Sequence, residues 1–133
     1  GQKLIGVRIY PVSAGVSTTS TTAVEVATGL NIPVLTTNVK SFGNVKATVI
    51  ARAFGGNNAS AIADVFISIE TATGTKIANA SVSGAVNAPL NITGVYPITA
   101  NTTFVPSYLS NNASYTTSVQ AYTIGIVHTV ELV

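Results

Sequence analysis

The chain has 133 residues, of which 47% are hydrophobic and only 8% charged; its formal net charge is +2 and it has no cysteine. That length corresponds to one domain with a substantial core, and the missing thiols exclude disulfides and thiolate metal sites. The basic residues Lys3, Arg8, Lys40, Lys46, Arg52 and Lys76 are scattered, which excludes the concentrated patch that nucleic-acid binding uses, and no apolar run approaches the length of a membrane-spanning helix.

Residues 3–10, Lys-Leu-Ile-Gly-Val-Arg-Ile-Tyr, form the first predicted strand, with Ile5, Val7 and Ile9 on one face. Residues 12–22 follow, rich in Ser and Thr, uncharged and poor in large side chains, as a hinge or linker would be. A structureless connection of this length is uncommon inside a compact domain. The layout therefore predicts a donor strand over 1–11, a linker over 12–22 and a sandwich body over 23–133. The donated strand would complete the sheet of a neighbouring copy, with Ile5, Val7 and Ile9 filling its pockets. The alternative keeps residues 3–10 as the first strand of the chain's own sandwich.

Residues 44–54 alternate, with Val45, Ala47, Val49, Ala51 and Ala53 opposite Lys46, Thr48, Ile50, Arg52 and Phe54, and Gly55-Gly56-Asn57-Asn58 is expected to break that strand. In residues 61–70, Ala63, Val65, Ile67 and Ile69 face away from Asp64, Phe66, Ser68 and Glu70; a turn at Ala72-Thr73-Gly74, with Gly74 at positive φ, leads into a second strand from Lys76 to Val82. Pro33, Pro89, Pro97 and Pro106 are expected in breaks or at sheet edges. Tyr115 to Leu132 is the longest candidate strand, and apolar residues on both of its faces near 124–127 place it inside a sheet. No segment carries a capped helical stripe. The fold class is all-β, a β-sandwich of jelly-roll or immunoglobulin-like type.

Ser, Thr and Asn account for 42 of 133 residues. Five Asn-X-Ser/Thr sequons occur, at Asn58, Asn79, Asn91, Asn101 and Asn112, about twice the number chance placement gives. They are the candidate N-glycosylation sites. Asn58, Asn101 and Asn112 fall in expected loops, whereas Asn79 lies in an expected strand and needs a solvated face. A chain that starts at Gly1 rather than Met is expected to have lost a leader or tag, which together with the sequons predicts an extracellular protein.

The residues offer no catalytic constellation. His128 is the sole histidine and alternates with Ile124, Ile126, Val130 and Leu132, so it reads as a packed structural residue. Glu25, Asp64, Glu70 and Glu131 are dispersed; Asp64 and Glu70, if on one strand face, stand about 20 Å apart, too far for a glycosidase pair. A Lys46 isopeptide bond near Asp64 or Glu70 is the weaker alternative to solvated charges. No enzyme activity, cofactor or metal is expected. Tyr10, Tyr96, Tyr108, Tyr115 and Tyr122 are the rings that could stack on sugars.

With its apolar leader strand, its Ser/Thr hinge, its nearly charge-free body and its scattered sequons, the sequence resembles the extracellular filament subunits of crenarchaeal cells, of the thread and bundling-pilus type. The resemblance is one of character along the chain, without a sharp motif. It implies β-sandwich subunits joined head-to-tail by donor-strand complementation into a homopolymer, N-linked glycans, and a role at the cell surface in adhesion and biofilm. A jelly-roll viral capsid or spike protein and a secreted carbohydrate-binding adhesion module are the alternatives.

Overall fold

The structure, a computed structural model, describes residues 1–11, 15–26, 30–32, 42–57, 62–83, 87–120 and 123–132. Among the described residues eleven strands run in chain order: β1 (Gln2–Pro11), β2 (Val16–Thr18), β3 (Val24–Glu25), β4 (Leu30–Ile32), β5 (Val45–Asn57), β6 (Ile62–Ile69), β7 (Lys76–Ser83), β8 (Asn87–Ile98), β9 (Thr102–Ser110), β10 (Thr117–Val119) and β11 (Thr123–Leu132), with one 3₁₀ turn at Phe42–Asn44. They form two sheets, and every pairing is antiparallel. The molecule is an all-β sandwich.

The register simplifies this list. β1 and β2 lie in line along β11 and β10, which pair with successive stretches of β5. In the same way β3 and β4 lie in line along β9. Counting each in-line pair as one, the sandwich has eight long strands among the described residues. One sheet runs first, eighth, third, sixth (β1/β2, β10/β11, β5, β8) and the other second, seventh, fourth, fifth (β3/β4, β9, β6, β7). Each strand of the chain's first half thus pairs with its mirror in the second half: first with eighth, second with seventh, third with sixth, fourth with fifth. A long antiparallel hairpin rolled over on itself produces this order, which is that of a jelly roll.

Alternation decides what lies between the sheets. Val45, Ala47 and Val49 of β5, Val65 and Ile67 of β6, Leu90, Ile92 and Ile98 of β8, Phe104 and Tyr108 of β9, Val119 of β10 and Val127 of β11 are buried in one cluster. Tyr96 and Phe104 meet edge-to-face across the sandwich, centroids 6.0 Å apart, the geometry that ring quadrupoles favour.

Three local expectations are corrected. Gly55 and Gly56 do not end β5; they pair with Ala88 and Asn87 of β8 on one side and with Val119 and Ser118 of β10 on the other. Ladders on both sides hold an extended backbone that the glycines alone would leave free. Pro106 is neither in a break nor on an edge, since β9 lies between β6 and β3/β4. Its carbonyl accepts the Val26 N–H at 2.8 Å. In an antiparallel strand a residue's N and C=O face the same side, so the missing N–H falls opposite the gap between β3 and β4 and the β6 ladder loses nothing. Pro89 and Pro97 do sit on an edge strand, β8; Pro33 lies outside the described residues.

The third correction concerns the turn after β6. Glu70, not Gly74, takes the left-handed conformation, with φ of 68°, and it has left the strand. Its N–H donates to Thr103 O at 2.8 Å and its Oε1 accepts the Thr103 N–H at 3.1 Å, so two bonds to β9 hold a conformation unusual for a residue with a Cβ. Gly74 is required for a different reason: a Cβ there would collide with the Ile69 carbonyl.

Candidate assembly surface

β1 is the outermost strand of its sheet, paired with β11 from Gln2↔Leu132 to Pro11↔Thr123. The register shifts between Leu4 and Gly6, so Ile5 is the extra residue of a bulge. The bulge separates the three residues expected on one face. Ile5 turns inward and, with Tyr10, packs against the core. Val7 and Ile9 point outward and are 52% and 61% exposed, joined by Leu4 at 59%. Ile5, Val7 and Ile9 therefore do not form one pocket-filling row.

The outward apolar positions continue across the sheet. Val7 stands in register with His128 of β11, Thr48 of β5 and Val95 of β8. Val95 is 59% exposed, and it completes, with Leu4, Val7 and Ile9, the set of exposed large hydrophobic residues. Two parallel rows flank this one: Leu4, Val130, Lys46 and Pro97 on one side, and Ile9, position 126, Ile50 and Thr93 on the other. Val130 and Ile50 are half-buried there. All the exposed large apolar side chains of the described residues thus share one face of one sheet. A surface of this kind marks an interaction site, and an exposed apolar edge strand is a template for pairing with another chain. Leu4 and Val95 were not anticipated. The pattern of Val95 was readable, because it lies on the face opposite Ile92, Gly94, Tyr96 and Ile98.

His128 is on this outer face and exposed, contrary to the packed role expected of it. The inward face of β11 is instead Gly125, Val127, Thr129 and Glu131, all buried. Glu131 is fully buried and in register with Lys3 of β1 and Val45 of β5.

The other sheet has a different outer surface. Phe66 and Val105, on its outward face, are 2% and 1% exposed, and the neighbouring Ser68 and Ser107 are also buried. Lys76 Nζ lies 4.1 Å from the Phe66 ring centroid and 3.0 Å from Asp64 Oδ2. Asn79 Nδ2 and Ser81 Oγ donate to Asp64 Oδ1 at 3.3 and 3.1 Å. Lys46 is exposed on the opposite sheet from Asp64 and Glu70, so these residues form no isopeptide site.

Four sequon asparagines are described, and Asn79, Asn91, Asn101 and Asn112 are all exposed. Asn101 and Asn112 lie in turns, Asn91 on the edge strand β8 and Asn79 on β7; Asn58 lies outside the described residues. Of the tyrosines, Tyr108 is buried, which pushes its hydroxyl pKa up by desolvation. Tyr10, Tyr96 and Tyr115 are half-buried, and Tyr122 lies outside the described residues. Among the described residues no three His, Asp or Glu side chains gather at a metal-binding distance, and no helix is long and apolar enough to cross a membrane.

No protein-family model matches the chain, and no curated protein matches it either.

Proposed function

We propose that this chain is the structural subunit of an extracellular filament, a homopolymer built head-to-tail by exchange of β1, serving attachment at the cell surface. One observation carries the reading: a ten-residue edge strand bears three of the four exposed large hydrophobic residues among those described, and of its own residues Ile5 and Tyr10 are the hydrophobic ones packed against the core. The seat along β11 is the same whichever copy fills it, so exchange keeps the ladder and converts a closed subunit into one link of an open chain. The small number of charges leaves little repulsion between copies, and Asn79, Asn91, Asn101 and Asn112 are accessible to N-linked glycans.

Deleting residues 1–11 tests this directly. The truncated protein is expected to be monomeric and less stable, and a synthetic peptide of residues 1–11 should bind it and restore stability without restoring polymers. Continued filament growth by the truncated protein overturns strand exchange through β1.

The jelly-roll strand order favours a second reading, a viral capsid or spike subunit, because that topology recurs in capsids. Negative-stain microscopy of the native material separates the two, since a capsid gives closed shells and the filament reading gives fibres. A sugar-binding module is less well supported, because no described tyrosine presents an exposed ring.

A further inference from the structure

We infer that Asn112 is the sequon through which the folded chain accepts an N-linked glycan, and that folding closes Asn79 although it heads the same tripeptide, Asn-Ala-Ser. The inference rests on the proposed glycosylation and is independent of strand exchange.

Transfer needs more than exposure. The side-chain amide nitrogen attacks the anomeric carbon of a sugar carried on a lipid phosphate. The new N–C bond forms as the bond from that carbon to the phosphate oxygen breaks. The oxygen keeps the electron pair, and the amide gives up a proton to a base of the transferase. Nδ2 must therefore be free, the hydroxyl two residues on must be readable, and the backbone must stand clear of the sheets to enter a cleft, as loop tips do.

The four described sequons meet these demands unequally. At Asn79 the nucleophile itself, Nδ2, donates to Asp64 Oδ1 at 3.3 Å, and the sequon hydroxyl, Ser81 Oγ, donates to the same oxygen at 3.1 Å. One carboxylate thus holds both groups that a transferase reads, on a backbone paired with β6 through Phe66↔Asn79 and Asp64↔Ser81. Asn91 and Thr93 lie within β8, in register with Arg52 and Ile50 of β5. Asn101 is in a turn, but the rest of its sequon is already strand. Thr102 is buried. Thr103 is tied to Glu70 twice, its N–H donating to Oε1 at 3.1 Å and its carbonyl accepting the Glu70 N–H at 2.8 Å.

Asn112 differs at each point. Residues 111–114 are exposed, in a turn between β9 and β10 that the Tyr115 N–H closes on Asn112 O at 3.0 Å. Ser110 Oγ also donates to that carbonyl, at 2.9 Å. The Ser114 N–H, which at Asn101 has its counterpart bound to Glu70, donates here to Asn112 Oδ1 at 2.9 Å, forming an Asx turn. The side chain is therefore fixed through its oxygen, and an amide held by its oxygen leaves both N–H groups to donate elsewhere. Asn112 alone among the described sequons combines a turn backbone, an exposed Ser and an amide oriented by its own sequon.

The experiment compares the folded full chain with synthetic peptides spanning each of the four sequons, which serve as unfolded references. Each is incubated with a membrane fraction carrying an Asn-X-Ser/Thr transferase and its lipid-linked sugar donor. Mass spectrometry of proteolytic fragments reads the occupancy of each site. The Asn79 and Asn112 peptides are expected to react alike, since their tripeptides are identical. In the folded chain Asn112 should react at the rate of its peptide, and Asn79 at least about tenfold more slowly than its own, the equivalent of giving up one charge-assisted hydrogen bond. Asp64→Ala should speed Asn79 and leave Asn112 unchanged. Equal reaction of Asn79 and Asn112 in the folded chain overturns the inference, as does faster reaction at Asn91 or Asn101 than at Asn112. Peptides that stay unmodified overturn the proposed glycosylation itself, and this inference with it.

Discussion

The two sheets are built from the same residue types, yet their outer faces have opposite characters. Behind β6 and β9, Phe66 and Val105 are as buried as residues of the central core, and the polar groups around them are joined through Asp64. Behind β1, β11, β5 and β8, side chains of similar chemistry stand in solvent. Apolar content alone does not decide burial: Lys76 covers the Phe66 ring on one sheet, whereas Leu4, Val7, Ile9 and Val95 remain exposed on the other. One sheet is already finished on both sides. The other leaves Leu4, Val7, Ile9 and Val95 exposed on its outer side, which is the reason to look for assembly on that side of the molecule.

Substitutions sharpen this contrast. Phe66→Ala removes a buried ring and the platform under Lys76, and is expected to cost about 3–5 kcal/mol in denaturant unfolding. A loss below about 1 kcal/mol would mean that this outer face is not truly packed. Asp64→Ala strips Lys76, Asn79 and Ser81 of their shared acceptor. The expected cost is about 1 kcal/mol, because Lys76 is partly exposed and salt screens its pairing; it should shrink at high ionic strength, and a salt-independent loss would point to packing instead. Ile9→Ser on the unfinished face is expected to change the stability of an isolated subunit by no more than about 0.5 kcal/mol, while lowering the tendency to assemble as measured by light scattering. If Ile9→Ser destabilises the subunit as strongly as Phe66→Ala, the two faces are not different after all.

Alternation made much of the fold legible. Period alone puts Val45, Ala47 and Val49 on one strand face and Val65 and Ile67 on another, both of which the structure buries in the core, and the β6–β7 hairpin is readable from its turn. What failed depended on neighbours that are distant in sequence. Gly55-Gly56 looked like a break because the ladders from β8 and β10 on either side are not visible locally. Pro106 looked like a breaker because the gap between β3 and β4 that accommodates it is formed by other segments. The left-handed Glu70 is stabilised by Thr103, 33 residues away. For the assembly surface, the leader strand was legible and its exposed residues were only partly so. A single bulge at Ile5 reassigned the face of everything before Gly6, and a bulge leaves no alternation signal of its own.

The pairing of first strand with last has a consequence in time. β1 precedes every other described strand in the sequence, and its partner β11 follows them all. Until β11 has been made β1 has no ladder to join, and the contact that seats it closes the longest loop among the described pairings. The other nested pairs, from β6–β7 outward, can form while β1 is still waiting. Under the proposed strand exchange, each new subunit passes through a stage in which its body is nearly folded, the groove along β11 is newly made, and a strand that fits that groove is still free, both on itself and on every copy nearby. At high local concentration the choice between its own strand and a neighbour's becomes a race, and the order in which the chain is made keeps both competitors at the starting line.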